Sequence, residues 1–319
     1  MTAKSSRIDW LIFLLLGFFW GSSYLFIKIG VDHGLQPFTL ITFRLLIGFI
    51  LLAAVVAVAR EPLPRDARMY GHLAVMGTIN IAIPFGLITF AEQTVDSSLA
   101  AVINGAVPLL VIVIAAIFLK GETITVNRLA GLAVGFVGVA MIVGLDITDL
   151  SSSSAVGELA LLGSTLSYAC GAVYARAHVH GLRPMIPALF QVFFGLVVTS
   201  VLAFTFEHPL AAVPAPEAIF AVVWLGLLGS GLAYLAFFRT LQRWGATRTS
   251  LVAYLLPVYG IALGTLVRSE PISWTTLAGT GLIIAGIALV NARVGNRPLF
   301  ARERGDLGST SASTGASRP

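Results

Sequence analysis

The chain has 319 residues, of which 57% are hydrophobic and only 11% charged, with a mean hydropathy of +0.92, against roughly 25% charged residues in an ordinary soluble domain. A soluble fold of this composition would expose large apolar patches and aggregate, so the bilayer is the solvent that fits. The net charge of +5 and pI near 9.7 do not mark a nucleic-acid partner, because the basic residues sit in short loops between apolar runs, the pattern of topology signals.

Lys4 and Arg7 precede an apolar run from Trp10 to Ile29. A secretory leader carries a core of only about 7–15 apolar residues before its cleavage site, so this run reads as an uncleaved first span. A helix needs about 20 apolar residues to cross the hydrocarbon. On that measure the spans are 10–29, 38–59, 71–91, 98–119 and 129–146, then 158–175, 185–206, 218–238, 249–267 and 274–292. The expected fold is therefore an all-α membrane protein of ten transmembrane helices. Residues 1–9 form a short terminus, 147–157 an outer linker, and 293–319 a Ser-, Gly- and Ala-rich tail expected to be disordered.

With the N-terminus in the cytoplasm, 17 of the 20 basic residues fall on the inner side or in the tail, leaving Lys28, Arg44 and Arg268 elsewhere. The opposite orientation would reverse that bias. Both termini are expected inside.

The halves 10–146 and 158–292 resemble each other. Leu35-Gln36-Pro37, Phe43-Arg44 and Gly48 align with Leu182-Arg183-Pro184, Phe190-Gln191 and Gly195 at an offset of 147. Trp20-Gly21 and Tyr24 align with Cys170-Gly171 and Tyr174 at 150, Pro108 with Pro257 at 149, and Gly131 and Gly138 with Gly279 and Gly286 at 148. Five spans is an odd number, so the repeats are inverted, a recurring design of secondary transporters with the substrate site between the halves.

Several polar residues lie at membrane depth. Arg44 is the deepest cation, about two turns into its span; a charge near the bilayer centre costs about 2.5–3.5 kcal/mol on insertion scales and usually marks function. It either draws in a substrate carboxylate or phosphate, or snorkels or binds backbone at a broken helix. Lys28 reads as an interface anchor. Asn80 and Asn104 each precede a proline by four residues, Pro84 and Pro108. A proline leaves a carbonyl of the preceding turn without its donor, so these sites and Pro257 read as hinges with polar lining, with an interhelical hydrogen bond of about 0.6 kcal/mol as the equal alternative for the two amides. Trp20, Tyr24, Tyr174, Tyr234 and Tyr254 are candidate walls of a substrate path, Tyr168 also, with packing as the plainer reading. Trp224 reads as a belt residue at the membrane interface.

No expected span carries an acidic residue away from its last turn, which weakens a deep carboxylate relay and leaves proton coupling through Glu92 or Asp96, exchange or facilitated diffusion open. No phosphate-binding loop, H-E-x-x-H or paired C-x-x-C is present, and Cys170 is the one cysteine. No metal, cofactor or enzymatic activity is expected; the expected partners are a small-molecule substrate and the lipid bilayer. A homodimer is left open. A polytopic membrane enzyme and a non-transporting scaffold are the alternatives, but the first lacks a reactive cluster and the second lacks long soluble loops.

The chain resembles the EamA family of the drug/metabolite transporter superfamily. The resemblance is carried by Trp20-Gly21-Ser22-Ser23-Tyr24, Phe43-Arg44-Leu45-Leu46, Asn104-Gly105-Ala106-Val107-Pro108 with Leu119-Lys120-Gly121-Glu122, Gly245-Ala246-Thr247-Arg248 with Tyr254-Leu255-Leu256-Pro257, and Glu270-Pro271-Ile272 before Gly279 and Gly286. It implies a cell-membrane (plasma or inner membrane) carrier that exports, or less often imports, small metabolites such as amino acids through a central cavity between the halves.

Overall fold

The computed structural model describes residues 6–119, 125–143, 152–179, 181–211, 213–245 and 249–291. The tail from 292, residues 147–151 of the expected linker, and Lys120, Glu122 and Arg248 lie outside the described residues. Ten helical segments follow in order. They are α1 (Arg7–Asp32), α2 (Pro37–Val58), α3 (Ala67–Ala91), α4 (Ser97–Phe118), α5 (Val126–Val143), α6 (Ser153–His178), α7 (Met185–Phe206), α8 (Pro216–Trp244), α9 (Ser250–Arg268) and α10 (Trp274–Asn291). Among the described residues, nine are long and apolar enough to cross a membrane. The apolar stretch of α10, Trp274–Val290, is shorter. No strand longer than an isolated bridge residue occurs among the described residues.

Local chemistry sets the helix ends. Ser6 and Asp9 form a reciprocal capping box, which starts α1 three residues before the apolar run itself begins. Pro37 and Pro216 open α2 and α8 at positions where a missing N–H costs nothing. Two carboxylates cap helices distant in sequence. Glu207, at the end of α7, accepts from Phe38 N (2.9 Å), Thr39 N (2.6 Å) and Thr39 Oγ1 (2.9 Å) at the start of α2. Glu270, just beyond α9, accepts from Ser97 N (3.1 Å), Ser97 Oγ (2.7 Å) and Ser98 N (2.9 Å) at the start of α4. Negative charge at a helix N-terminus is favoured by the orphan N–H groups and the helix dipole.

The third helix of each half departs from α-helical bonding. In α3 the stretch Thr78–Ala82 is π-helical, with Ile83 N bonded to Thr78 O. In α8 the π-helical stretch is Leu225–Leu232. Pro84 explains the first. In a π register its absent N–H would have served Ile79 O, and the Ser167 hydroxyl of α6 donates to that carbonyl at 2.5 Å instead. The carbonyl freed by the proline therefore lies one residue earlier than α-helical spacing gives. At Pro108 the helix breaks instead, around Gly105 and Ala106. Pro257 follows a short 3-10 turn, Ser250–Tyr254.

The halves pack through equivalent surfaces. A Cβ on Gly131 would stand 2.5 Å from Gly286 O, and one on Gly138 would stand 2.6 Å from Gly279 O. Only glycine lets α5 and α10 approach this closely. As numbering rises along α5 it falls along α10, so the two helices are antiparallel. Gly131 and Gly138 are the sequence equivalents of Gly279 and Gly286, so each contact is the mirror exchange of the other, the signature of an isologous, two-fold interface. The same exchange recurs deeper in the bundle. Gly77 of α3 lies against Gln191 O of α7, and Gly226 of α8 lies against Arg44 O of α2.

Candidate functional site

Arg44 projects from α2 into this two-fold contact. It sits seven residues into the helix, roughly 10 Å along the axis at 1.5 Å per residue, and is 3% exposed. Its Nε donates to Ser230 Oγ at 3.3 Å, within the π-helical stretch of α8. Its guanidinium lies over the Phe85 ring, 4.3 Å from the centroid, a cation–π contact. Tyr24, Tyr168 and Tyr234 lie within electrostatic reach of the charge. Arg44 therefore does not snorkel to an interface, and its partner at the irregular helix is a side chain rather than a carbonyl.

Gln191, the equivalent of Arg44, makes the matching contact in the other half. Its Oε1 accepts from Asn80 Nδ2 at 3.2 Å, within the π-helical stretch of α3. Each second helix thus reaches the wound-open turn of the other half's third helix. One contact carries a charge and the other is neutral. A guanidinium presents five N–H donors in a planar fork suited to carboxylate or phosphate, and only Nε is used on Ser230 among the hydrogen bonds described for it.

The other expected site residues divide by position. Tyr24 is buried against the largest core cluster, and Tyr234 packs against α2 and α7 residues beside Trp20. Trp20 stands edge-on to Tyr234 at 6.2 Å and tilted on Phe237 at 5.4 Å. Tyr24, Tyr234 and Arg44 come together, with Trp20 against Tyr234. Asn104 does not join them. Its Nδ2 donates to Ala100 O at 3.1 Å and its Oδ1 accepts from Ser164 Oγ at 2.9 Å, tying α4 to α6. Tyr254 is half-buried in the turn before Pro257. Tyr174 lies at one end of the bundle, bonded to His72 at 2.7 Å and stacked on His178 at 4.3 Å.

Two residues depart from their sequence reading. Lys28 is not an interface anchor: it is 9% exposed and its Nζ donates to Glu92 O at 2.6 Å. Trp224 is not a belt residue: its Nε1 donates to Ser22 Oγ at 3.1 Å and its ring stacks on Phe26 at 4.5 Å. Trp224, Ser22 and Phe26 line an apolar cleft of about 570 Å³ between α1, α8 and α9, which includes neither Lys28 nor Arg44. Sequence reasoning also passed over Ser230 and Phe85. Neither carries a charge, although Phe85 directly follows Pro84 and the run Gly226, Gly229, Ser230, Gly231 is a visible weak point in the apolar part of α8.

Ion pairs join the halves near both ends of the bundle. Arg183 Nη1 meets Glu61 Oε2 at 2.8 Å at one end. At the other, Arg268 pairs with Asp32 at 2.5 Å and lies 3.7 Å from Glu270, while Lys28 lies 3.7 Å from Asp32. Burial alone would raise the Glu270 carboxyl, but hydrogen bonds from Ser97 and Ser98 outweigh it and hold the group below its ordinary value. No group of three or more metal-ligating side chains occurs among the described residues.

A family model described as the EamA-like transporter family matches residues 8–144 and again 155–292. The uncharacterized transporter YoaV of Bacillus subtilis is 27% identical over 84% of this chain and 91% of its own length. The uncharacterized inner membrane transporter YedA of Escherichia coli is 29% identical over 85% of this chain and 86% of its own. A WAT1-related chloroplastic protein of Arabidopsis thaliana is 26% identical, covering 92% and 72% respectively. A solved crystal structure has the same fold at a TM-score of 0.65 and 20% identity, covering 90% of this chain and 99% of that one.

Proposed function

Since the chain belongs to the EamA-like transporter family and is a multi-pass membrane protein, we propose that it is a secondary carrier exporting small metabolites with an anionic group, amino acids or related compounds. Ten helices cross the membrane as two inverted sets of five, with both termini in the cytoplasm. The halves 10–146 and 158–292 rock about the two-fold contact, opening the Arg44 region to one side at a time.

The observation that carries this reading is the burial of Arg44 between the halves with, among the described residues, a single hydrogen-bonding side-chain partner. A cation held there by Ser230 and Phe85, with three tyrosines within electrostatic reach, is stabilised further by an anionic substrate, and the rings supply apolar contact with one polar handle each. The antiparallel packing of α5 on α10 supports the inverted arrangement, because its two-fold axis is perpendicular to the helices and so lies in the membrane plane. The π-helical turns support rocking, since wound-open helices adjust at lower cost than continuous ones. The paired ends, Glu61–Arg183 and Asp32–Arg268, supply a closure for each side.

Counterflow in proteoliposomes tests the proposal. Vesicles holding the purified full chain and preloaded with an unlabelled amino-acid mixture should accumulate the labelled mixture faster than protein-free vesicles. Equal uptake in both, with protease protection showing the chain folded and inserted in the vesicles, would refute the amino-acid reading.

A further inference from the structure

Glu92 stands apart from the other carboxylates of the bundle. Glu207 and Glu270 each accept three hydrogen bonds at a helix N-terminus, and Glu61 meets Arg183. Glu92 is fully buried, and neither carboxylate oxygen has a hydrogen-bond partner among the described residues. It caps the C-terminus of α3, where the helix dipole opposes a negative charge. An ionised carboxylate in that setting is unfavourable by several kcal/mol, whereas a neutral acid is not.

The cation beside it is committed elsewhere. Lys28 Nζ donates to the backbone oxygen of Glu92 at 2.6 Å and pairs with Asp32 at 3.7 Å. Asp32 in turn holds Arg268, which joins the end of α1 to the end of α9. The charged and titratable groups acting on Glu92 are Lys28 and Asp32 from α1, Arg44 from α2 and Glu270 from the α9–α10 connection. Tyr24 of α1 also feels its charge. From α6, Gly157 packs on Ala91 O and Val95, and the neighbouring Glu158 is hydrogen-bonded to Ser154 of its own helix. Burial pushes the Glu92 carboxyl well above its ordinary value, with Lys28 opposing the shift.

We infer that Glu92 is a proton-binding site whose charge state is linked through Lys28 to the Asp32–Arg268 closure, so that proton movement drives the carrier. The step is an acid dissociation. The Glu92 O–H bond breaks, water admitted when the halves part takes the proton, and the new carboxylate draws the Lys28 ammonium away from Asp32. Asp32 is then left to Arg268 alone, which strengthens that pair and tightens the closure. Reprotonation returns Lys28 to Asp32. This inference rests on the transport reading given above.

Infrared difference spectroscopy of the full chain in lipid vesicles, titrated with acid and base, separates the two claims because it needs no flux. The wild type should show a carboxylic-acid carbonyl band persisting at neutral pH; Glu92→Gln should lose it and Asp96→Asn should keep it. Gln reproduces the shape and neutrality of the protonated acid, so the variant should fold. In counterflow with the labelled amino-acid mixture, an imposed pH gradient should change the wild-type rate and leave the Glu92→Gln rate unchanged. Absence of the band from wild type, its survival in Glu92→Gln, or an undiminished pH-gradient response in that variant would each overturn the inference. A band with no amino-acid flux in any vesicle would leave the buried acid standing and overturn proton-driven carriage of amino acids.

Discussion

Arg44 of α2 hydrogen-bonds Ser230 in the π-helical stretch of α8, crossing from one half of the bundle to the other. Its equivalent, Gln191, makes the reciprocal crossing to Asn80 in α3. A two-fold framework thus carries a one-sided charge, and the proposed carriage of anionic groups builds on that asymmetry.

Arg44→Ala is expected to lower amino-acid counterflow by about 10- to 100-fold, the equivalent of losing one charge-assisted interaction worth roughly 1.5–3 kcal/mol. Protein abundance in the membrane should not change, because the cation contributes little net stability where it is buried. Arg44→Lys keeps the charge but loses the planar fork, so it should recover only part of the rate. The check is initial rate per reconstituted protein.

Glu270→Ala removes the carboxylate cap of α4 and should destabilise the fold by about 0.5–2 kcal/mol, the usual worth of a helix cap. The group's lowered value in the folded state fixes the pH dependence. Its contribution is complete above the ordinary carboxylate value and disappears as pH falls through the folded one. Thermal unfolding in detergent should therefore separate wild type from variant at neutral pH and bring them together in acid.

Glu92→Gln should show the opposite sign. Its raised folded value means the native state keeps a proton that the unfolded chain releases above pH 4.5. Wild-type stability then falls, relative to the variant, as pH rises from that point towards the folded value. Unfolding temperatures of the pair, measured across pH 4 to 8, read the divergence directly.

Gly138→Leu forces a side chain into the backbone of α10 at Gly279. Overpacking of this kind costs about 1–3 kcal/mol or separates the helices. Lower unfolding temperature with unchanged secondary structure by circular dichroism is the expected outcome.

Much of this arrangement is legible in the amino-acid sequence because lipid imposes simple demands. Runs of about 20 apolar residues mark the helices, and Gly131, Gly138, Gly279 and Gly286 mark both the repeat and a close backbone contact between its halves. Pro84 announces an irregular turn, and the structure supplies the detail that Ser167 satisfies the freed carbonyl. The irregular turn in α8 has no such marker, since glycines at 226, 229 and 231 weaken a helix without locating where it widens. Long-range polar partners were out of reach for the same reason. Lys28 and Trp224 sit near span ends, where an interface role is the ordinary reading, and only tertiary packing brings Glu92 to one and Ser22 to the other. The burial of Glu92 follows from that packing and not from its position after an apolar run.

Distances between spin labels at the two closures test the rocking of the halves most directly. In a Cys170→Ala background, one pair would be His33→Cys with Ser269→Cys, beside Asp32 and Arg268. The other would be Arg65→Cys with His178→Cys, at the Glu61–Arg183 end. Alternating exposure of Arg44 requires two populations at each end, with substrate or pH shifting one end towards long distances as the other moves towards short ones. A single fixed distance at both ends, or both ends lengthening together, would contradict it.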